Sequence, residues 1–386
     1  MATLTIEKVL DRAAAVAHDV AGPHAEEVDA AARWPEESLR ALQEAGLGGL
    51  VVPERAGGLG HGLLALTQVC EVLGQACAST AMCFGMHGVG SAVIAAKATE
   101  EQQDRYLDPI TSGRHLTTLT LSEPGTGAHF WLPRTELRPA GDGFVVTGTK
   151  TFVTSGGHAD SYVVSVVDAA ADAPIGEFSC VVVDADAPGL EWGPPWDGLG
   201  MRGNSSRSVE LRDVPLSHTA LLGAPGDQIW YVFNVVAPYF LMAMAGSYLG
   251  VASGAFEDMR MHVTQRRYSH DGSRLAEQPV IQHRVGELWA ALERTRQLVH
   301  HAADGGDRGE PWALAALASA KAEVAECATD VVNGAMTLVG GIGYREHGAL
   351  GRRLRDARAA HVMSPTTDLL RLWTGRAVLD EHILAD

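Results

Sequence analysis

The sequence between residues 119 and 128 reads Leu119-Thr120-Leu121-Ser122-Glu123-Pro124-Gly125-Thr126-Gly127-Ala128. Its first residues are typical of a β-strand, and the Pro-Gly pair that follows predicts a tight turn. Backbone N–H groups left free in such a turn, together with a hydroxyl, can bind an anionic or carbonyl-rich ligand. This stretch therefore predicts a strand that ends in a ligand-binding turn.

Two further glycine-marked stretches follow along the chain. One reads Gly148-Thr149-Lys150-Thr151-Phe152-Val153-Thr154-Ser155-Gly156-Gly157. Its Phe152 and Thr154 stand two residues apart, on one face of a strand, where they can stack on and hydrogen-bond to a planar heterocycle. The other reads Gly340-Gly341-Ile342-Gly343-Tyr344 and lies between two predicted helices, where backbone can approach a phosphate closely. Taken alone, each stretch also fits an ordinary turn.

The hydrophobic pattern around these stretches changes twice along the chain. Up to about Leu116, apolar spacing of three and four predicts helices over Ile6–Val20, Pro35–Ala45, Leu63–Ala76 and Glu100–Ser112. Short runs rich in valine, threonine and phenylalanine then predict antiparallel strands over Gly143–Val153, Ser161–Val167, Phe178–Val183 and Ser206–Leu211. After Pro225 the pattern again predicts helices, over Ile229–Thr264, Pro279–Ala303, Pro311–Leu338 and Pro365–His382.

These patterns predict an α+β chain that is mainly α and has three domains. We expect an N-terminal α-helical domain at residues 1–116, a middle antiparallel β-domain at 117–224 and a C-terminal helical bundle at 225–386. Because strands and helices do not alternate, a doubly wound nucleotide-binding sheet is not expected.

Composition and charge exclude several classes of partner. The chain has 386 residues and a formal net charge of −17, whereas binding to nucleic acid or to an anionic membrane needs a basic surface. The uncharged run Ile229–Phe256 is long enough to span a bilayer. Pro238 and several glycines interrupt it and acidic residues flank it, so we predict a core helix instead.

Cysteine spacing and the lack of common motifs in the sequence argue against several kinds of functional site. The five cysteines have neither zinc-site nor Cys-x-x-Cys spacing, and the N-terminus lacks a secretory signal, which predicts a cytoplasmic protein. The sequence contains no dinucleotide glycine fingerprint, P-loop, zinc-protease motif or serine-hydrolase elbow. The histidines lack metal-ligand spacing, so no metal site is expected.

Together with two later motifs, the glycine-marked stretches resemble the acyl-CoA dehydrogenase family. The later motifs are Leu199-Gly200-Met201-Arg202-Gly203 and Arg355-Asp356-Ala357, and they stand at fitting intervals. The resemblance spans nearly the whole chain. It implies a helical N-terminal domain, a middle β-domain, a C-terminal four-helix bundle, and FAD bound at the subunit contacts of a homodimer or homotetramer.

The resemblance also implies which residues bind the flavin ring. Leu121 and Ser122 are expected to face its pyrimidine edge, with Gly127 in the same turn. Phe152 takes the place of an aromatic residue, usually tryptophan, that packs on the isoalloxazine. Thr154 is expected to hydrogen-bond near the reactive nitrogen of the flavin.

The same resemblance implies contacts to the rest of FAD. Arg266 corresponds to an arginine that reaches the pyrophosphate of FAD in a neighbouring subunit. The other positions that match contacts to the phosphates and the adenosine half are Thr337, Gly340, Gly341, Thr366 and Asp368. Thr337 stands where glutamine is common, and Asp271 stands where a phenylalanine normally precedes Gly272.

The catalytic base of the family is missing from the sequence. In the family, a glutamate in a Glu-Gly-Thr turn removes the α-proton of the acyl thioester while hydride leaves the β-carbon for the flavin. The corresponding turn reads Ser364-Pro365-Thr366, and the alternative position of the glutamate, on the first long helix of the bundle, is Phe240. A neutral serine hydroxyl cannot act as the base at pH 7, and a positioned base is worth about 10²–10⁴ in rate.

The substrate side departs from the family at further positions. Leu241 occupies the place of a substrate-side arginine, and Ala128-His129 replaces a Ser-Asp pair beside the acyl pocket, which also includes Leu119. His129 is a candidate for a replacement base. The flavin half is thus kept, whereas the substrate half is rebuilt.

Three interpretations of function remain open at this point. In the first, the protein is an FAD-dependent oxidoreductase that acts on an acyl thioester of CoA or a carrier protein. Its reaction would then rest on decarboxylation, on an unusually acidic proton, or on a base such as His129. In the second, it is a flavin-dependent monooxygenase or oxidase of the same fold. In the third, it is a catalytically inactive flavin- or acyl-binding protein.

Overall fold

The first third of the chain is helical in the computed structural model, which describes residues 4–168 and 179–384. The helices are α1 (Ile6–Val16), α2 (Gly22–Ala30), α3 (Glu36–Glu44), α4 (Leu63–Ala76), α5 (Ala78–Ala96), α6 (Glu100–Gln102) and α7 (Asp108–Thr111). The helices predicted from periodicity are present. Helix α3 begins with Glu36 and Glu37 in its first turn, where the positive end of the helix dipole favours carboxylates.

Helix α5 is long, but the periodicity of the sequence did not predict it. All of its residues from Ala78 to Ala95 are buried, so the helix has no polar face. A helix that is apolar on every side shows no 3.6-residue alternation of polar and apolar residues. The sequence pattern that identifies surface helices is therefore missing here.

A single sheet forms the middle region. Its strands are β1 (Thr117–Thr120), β2 (Glu136–Ala140), β3 (Gly143–Val153), β4 (Ser161–Asp168), β5 (Ser179–Asp184), β6 (Leu190–Trp192), β7 (Arg207–Leu216) and β8 (Leu221–Leu222). They are arranged in the order β6-β7-β3-β2-β4-β5-β8, with β1 also paired to β4. The predicted strand that starts at Phe178 begins outside the described residues.

The middle β-domain is confirmed, but its sheet is mixed rather than purely antiparallel. Strand β1 runs parallel to β4, with Thr117 beside Ser161 and Thr120 beside Val164. Strand β2 also runs parallel to β4, while the other neighbouring pairs are antiparallel. Alternation within one strand does not reveal the direction of its partner, so the sequence pattern left this detail open.

Long helices follow the sheet and pack as a bundle. After the short helix α8 (Gln228–Tyr231), they are α9 (Ala237–Gln265), α10 (Pro279–Asp307), α11 (Ala313–Val339), α12 (Ala349–Val362) and α13 (Thr367–Val378). A π-helical turn joins α8 to α9. The connection between α12 and α13, residues 363–366, is short and supplies part of the site described below.

Two described helices are long and apolar enough to cross a membrane by length and composition, Ala78–Ala96 and Ile229–Gln265. Their most apolar windows are 100% and 83% buried inside the fold. The backbones of α4 and α9 approach closely, since a Cβ added at Gly246 would lie 2.2 Å from the Thr67 carbonyl oxygen. The prediction of a core helix for residues 229–256 is confirmed.

Candidate active site

A cavity of about 720 Å³ lies where the helical N-terminal region, the sheet and the bundle meet. Helix α5, the turn after β1 and the end of β3 form one side of it, and the loop 196–206 forms the floor. The start of α9 and the connection between α12 and α13 form the opposite side. Glu123 is the only aspartate, glutamate, lysine, arginine or histidine among the described lining residues. We call this cavity the chamber.

The predicted flavin residues share one wall of the chamber, which we call the flavin wall. Leu121, Ser122, Gly127, Phe152 and Thr154 all line it. The Thr151 N–H donates to the Ser122 carbonyl oxygen at 2.8 Å, which joins the turn after β1 to the end of β3. The structure therefore brings together residues that lie about 30 positions apart in the sequence.

Phe152 is unusual for a large aromatic residue. Its side chain is 63% exposed, and its backbone is left-handed with φ 54°. The pairing of β3 with β7 is irregular between Lys150 and Val153, and an irregularity of this kind redirects a side chain out of the sheet. The ring meets Trp196 edge-on at 6.0 Å between centroids. An uncovered ring beside a hydroxyl in an apolar cavity fits a planar heterocycle.

The turn after Ser122 is open to a ligand. Gly125 and Gly127 have φ of 84° and 56°, and a Cβ added at either position would meet nothing within 4 Å. The backbone there is thus accessible from the chamber side, as the sequence predicts for a ligand-binding turn. Together with the exposed Phe152 ring on the flavin wall, this open turn fits the isoalloxazine of a flavin.

Glu123 lies in the wall of the chamber but is not a free base. Its Oε1 accepts hydrogen bonds from Lys150 Nζ at 2.6 Å, the Thr135 hydroxyl at 2.7 Å and the Thr135 N–H at 3.1 Å. Its Oε2 accepts from the Arg134 N–H at 2.6 Å. Burial raises the pKa of Glu123, but Lys150 and these hydrogen bonds outweigh it and hold that pKa below its ordinary value. The carboxylate is ionised and fully engaged.

Lys150 is the buried partner of Glu123, and the two form an ion pair behind the flavin wall that anchors it. Its side chain is 0% exposed, and it also donates to the backbone oxygen and the hydroxyl of Ser165, at 2.7 and 2.9 Å. Burial lowers the pKa of Lys150 to about 8, while Glu123 opposes the shift. The pair ties the turn after β1 to strands β3 and β4.

The predicted substrate residues form the other wall of the chamber, which we call the substrate wall. Leu119, Ala128, Phe240 and Leu241 line the chamber, and so does Ser364, at the position of the missing glutamate. The Ser364 hydroxyl donates to the Ala128 carbonyl oxygen at 3.3 Å. Both family positions for the base thus lie on the chamber wall, occupied by a hydroxyl and by an aromatic ring.

Lys321 on α11 holds the connection that carries Ser364. Its Nζ donates to the carbonyl oxygens of Ala360 at 2.9 Å, Met363 at 3.0 Å and Pro365 at 2.9 Å. Its side chain is completely buried, and burial lowers its pKa to about 7. The backbone on this side of the chamber is therefore fixed from behind by a single side chain.

The floor of the chamber is fixed by α12. Asp356 accepts the Met201 N–H at 2.7 Å, and Arg355 donates to the Leu199 carbonyl oxygen at 3.1 Å. Arg355 also pairs with Asp29, with Nη1 to Oδ1 at 2.8 Å. Burial raises the pKa of Asp356 to about 6. The two motifs that supported the family resemblance thus contact each other.

His129 lies outside the chamber. Its side chain is exposed, lies 3.3 Å through Nδ1 from the Thr126 carbonyl oxygen and meets the Trp131 ring edge-on at 5.1 Å. It is not among the residues that line the cavity. The structure therefore does not bring this candidate base to the substrate wall.

Some of the residues predicted to contact the rest of FAD line a second cavity, and the others line neither cavity. A second cavity of about 390 Å³ includes Thr366 and Asp368 and shares Val362 and Thr366 with the chamber. It also contains the cationic side chains Arg358 and Arg371. The remaining predicted residues are exposed and line neither cavity: Arg266, Thr337, Gly340 and Gly341.

Sequence reasoning missed several residues that shape the chamber. Met82 and Met86 lie on α5, which periodicity does not reveal, and Trp196 lies in an irregular loop. Lys321 had a usable signal, because it is the only lysine or arginine on α11 and follows an uncharged stretch of that helix, and lysine is rarely buried without a partner.

Family models match most of the chain. The acyl-CoA dehydrogenase N-terminal domain matches residues 3–114, the middle domain 118–214 and the C-terminal domain 238–379. Cyclohex-1-ene-1-carbonyl-CoA dehydrogenase of Geobacter metallireducens is 31% identical over 381 residues, which cover 97% of each chain. The mitochondrial short-chain specific acyl-CoA dehydrogenase of Homo sapiens is 30% identical and covers 94% of this chain and 86% of its own.

A solved structure agrees with these matches. Butyryl-CoA dehydrogenase from Megasphaera elsdenii is 25% identical, with a TM-score of 0.88 over 96% of this chain and 98% of its own. The three-domain architecture expected from the sequence is therefore that of known acyl-CoA dehydrogenases.

Proposed function

The chain belongs to the acyl-CoA dehydrogenase family, and we propose that it oxidises an acyl thioester without a carboxylate base in the chamber. It is an FAD-dependent oxidoreductase, as its family and its acyl-CoA dehydrogenase relatives indicate. Neither the monooxygenase nor the inactive binding protein is favoured by these relatives.

One observation carries the proposed mechanism. The two family positions for the glutamate hold Ser364 and Phe240, and the carboxylate of Glu123 has its oxygens occupied by Lys150 and backbone N–H groups. Within the described lining, no other side chain can accept a proton from carbon near neutral pH. A base that is absent from the described lining of the chamber must be compensated by the substrate.

The chamber walls restrict what the substrate can be. Apolar side chains such as Met82, Met86 and Leu241 favour an uncharged carbon skeleton. No cation lines the described part of the chamber, so a substrate carboxylate would be buried without a partner, which is costly. Decarboxylation is therefore the least supported of the three routes, and the exposed position of His129 argues against the route through that base.

The remaining route is a substrate that carries its own acidity. We propose a thioester whose α-carbon bears a second electron-withdrawing group, so that a weak base or solvent suffices to remove the proton. When bound, the flavin supplies an acceptor for the hydride of the β-carbon. Phe152 would pack on it and Thr154 would hydrogen-bond to it, while the apolar walls would hold the carbon skeleton of the substrate beside it.

A second copy of the chain completes the proposed FAD site. Arg266, Thr337 and the Gly340-Gly341 pair line neither cavity of one chain, which fits a contribution to the FAD of a neighbouring subunit in a homodimer or homotetramer. The acyl carrier, either CoA or a carrier protein, belongs to the same proposal. The cytoplasmic location and the domain boundaries near residues 116 and 224 stay predictions.

The test uses anaerobic mixing of FAD-loaded protein with two thioesters while flavin absorbance is followed. One is a saturated acyl-CoA, and the other carries an electron-withdrawing substituent on the α-carbon. We expect bleaching of the flavin with the activated thioester and a rate at least about 10²-fold lower with the saturated one. Equal and rapid bleaching with both would show that the protein contains a base.

A further inference from the structure

The ammonium group of Lys321 is fully occupied by backbone acceptors. It donates to the carbonyl oxygens of Ala360, Met363 and Pro365, at 2.9, 3.0 and 2.9 Å. Ala360 belongs to the last turn of α12, whose carbonyl groups have no partner within the helix. Lys321 therefore caps this helix and fixes the start of the next connection.

No acidic side chain neutralises this charge in the described part of the chain. On the neighbouring elements, Tyr248 of α9 donates to the Met363 sulfur and Arg296 of α10 pairs with Glu71. On α12 and α13, the titratable and charged groups nearest in sequence to the held segment are Asp356, Arg358, His361, Asp368 and Arg371. Asp356 accepts the Met201 N–H, His361 lies 3.3 Å from the Thr329 hydroxyl, and Arg371 pairs with Glu326. Arg358 and Asp368 line the second cavity. None of them forms a salt bridge with Lys321.

The number of donors on this nitrogen matters. An ammonium has three N–H donors, which match the three carbonyl acceptors, whereas a neutral amine has two. Loss of one proton therefore leaves at least one buried carbonyl without its partner, and such a loss is unfavourable. Met363 and Pro365, which carry two of these carbonyl groups, line the chamber, and so do their neighbours Ser364 and Thr366.

We propose that Lys321 is a positioning residue whose ammonium form sets the chamber wall of residues 363–366, so that affinity for FAD falls when this lysine loses its proton. The inference rests on the proposed function, since Thr366 is one of the residues assigned to FAD. Burial lowers the pKa of Lys321 to about 7, which brings the loss of the proton into the neutral range.

The test measures FAD release from the full-length holoprotein after dilution, by flavin fluorescence, between about pH 6 and about pH 9. We expect the affinity of the wild-type protein to fall about tenfold across this range, because one hydrogen bond to the wall is lost. Lys321→Met, which lacks all three hydrogen bonds, should bind FAD at least about tenfold more weakly at the acidic end and show no further change with pH. Lys97→Met is the control, since Lys97 pairs with Asp227 outside the chamber and should leave the profile unchanged.

Two outcomes would overturn the inference. The first is a wild-type affinity that does not change with pH, which decides the question even if Lys321→Met does not fold. The second is a Lys321→Met profile parallel to that of the wild type. Failure of the proposed function is a different result, namely a wild-type protein that binds no FAD at any pH.

Discussion

The two walls of the chamber are both held by a buried lysine, but in different ways. On the flavin wall, Lys150 pairs with Glu123 at 2.6 Å and both side chains are almost completely buried. On the substrate wall, Lys321 contacts only carbonyl oxygens. The first anchor is a neutral ion pair, whereas the second is a charge held by dipoles.

This difference matches what the two walls carry. The resemblance to the family implies flavin-binding positions at Ser122, Phe152 and Thr154, and these line the wall that the ion pair holds. The same resemblance implies a catalytic glutamate at the position of Ser364 on the other wall. The two walls of one scaffold can therefore differ in chemistry, because function depends on the side chains of the site and not on the fold alone.

The largest expected effect comes from restoring the base. Ser364→Glu places a carboxylate on the chamber wall, and we expect the FAD-loaded variant to oxidise a saturated acyl-CoA about 10²–10⁴ times faster than the wild type. Ser364→Gln is the matched control, since it has nearly the same shape and no basic oxygen of that strength. A gain of similar size in both variants would mean that size, not basicity, limits the wild type.

Breaking the flavin anchor should cost stability. Glu123→Gln leaves the Lys150 charge buried without its partner, and we expect a loss of about 3–5 kcal/mol in the free energy of unfolding. Glu191→Gln removes a surface partner of Arg212 and should cost less than about 1 kcal/mol. Denaturant unfolding of both variants measures the difference. Equal losses would contradict the role of Glu123 as a buried structural carboxylate.

The floor of the chamber sharpens the comparison, because its anchor Asp356 is a buried acid that forms no salt bridge within the described residues. The pKa of Asp356, about 6, lies above the ordinary value of an aspartate. The folded state therefore binds this proton more tightly than the unfolded state, and the stability that it contributes is complete below about pH 4 and is lost as the pH rises through about 6.

Asp356→Asn fixes the neutral form and keeps an acceptor for the Met201 N–H. Relative to the wild type, this variant should gain about 2–3 kcal/mol of stability between about pH 4 and about pH 6.5. Thermal unfolding across this range is the measurement. Asp213→Asn, at an exposed ion pair with Arg138, should show no such trend. A difference between Asp356→Asn and wild type that is constant with pH would contradict the raised pKa.

The smallest expected effect is at the flavin wall itself. Thr154→Val keeps the shape of the side chain and removes its hydroxyl, so FAD affinity should fall about two- to tenfold, the value of one hydrogen bond. Fluorescence titration with FAD measures it, and Thr149→Val, at an exposed position on β3, serves as the control. An unchanged affinity for Thr154→Val would remove Thr154 from the FAD site.

Much of the architecture was predictable from sequence because its elements have distinct periodicities. The helix Leu63–Ala76 has the predicted bounds, and β3 does as well. Helix α5 was not predictable from periodicity, since it is buried on all sides. The parallel pairing of β1 with β4 depends on residues far apart in the chain, which no local pattern encodes.

Part of the residue set that lines the chamber could be predicted from sequence, but the contacts that hold those residues in place could not. The glycine-marked stretches indicated Ser122, Phe152 and Thr154, and the structure places them on one wall. The anchors Lys150 and Lys321 act through contacts 15 to 44 positions away in sequence, and only the folded chain reveals those contacts. His129 looked suitable by residue type, but the direction of a loop side chain cannot be derived from sequence.

The most direct test of the missing base is proton exchange at the α-carbon of a saturated acyl-CoA in D₂O. A base in the chamber would exchange this proton even without net oxidation, so mass spectrometry of the recovered thioester reports on proton removal alone. We predict that the FAD-loaded wild-type protein causes no exchange above the rate in buffer, whereas Ser364→Glu does. Exchange catalysed by the wild type would contradict the account, because it would require a base that the chamber walls do not provide.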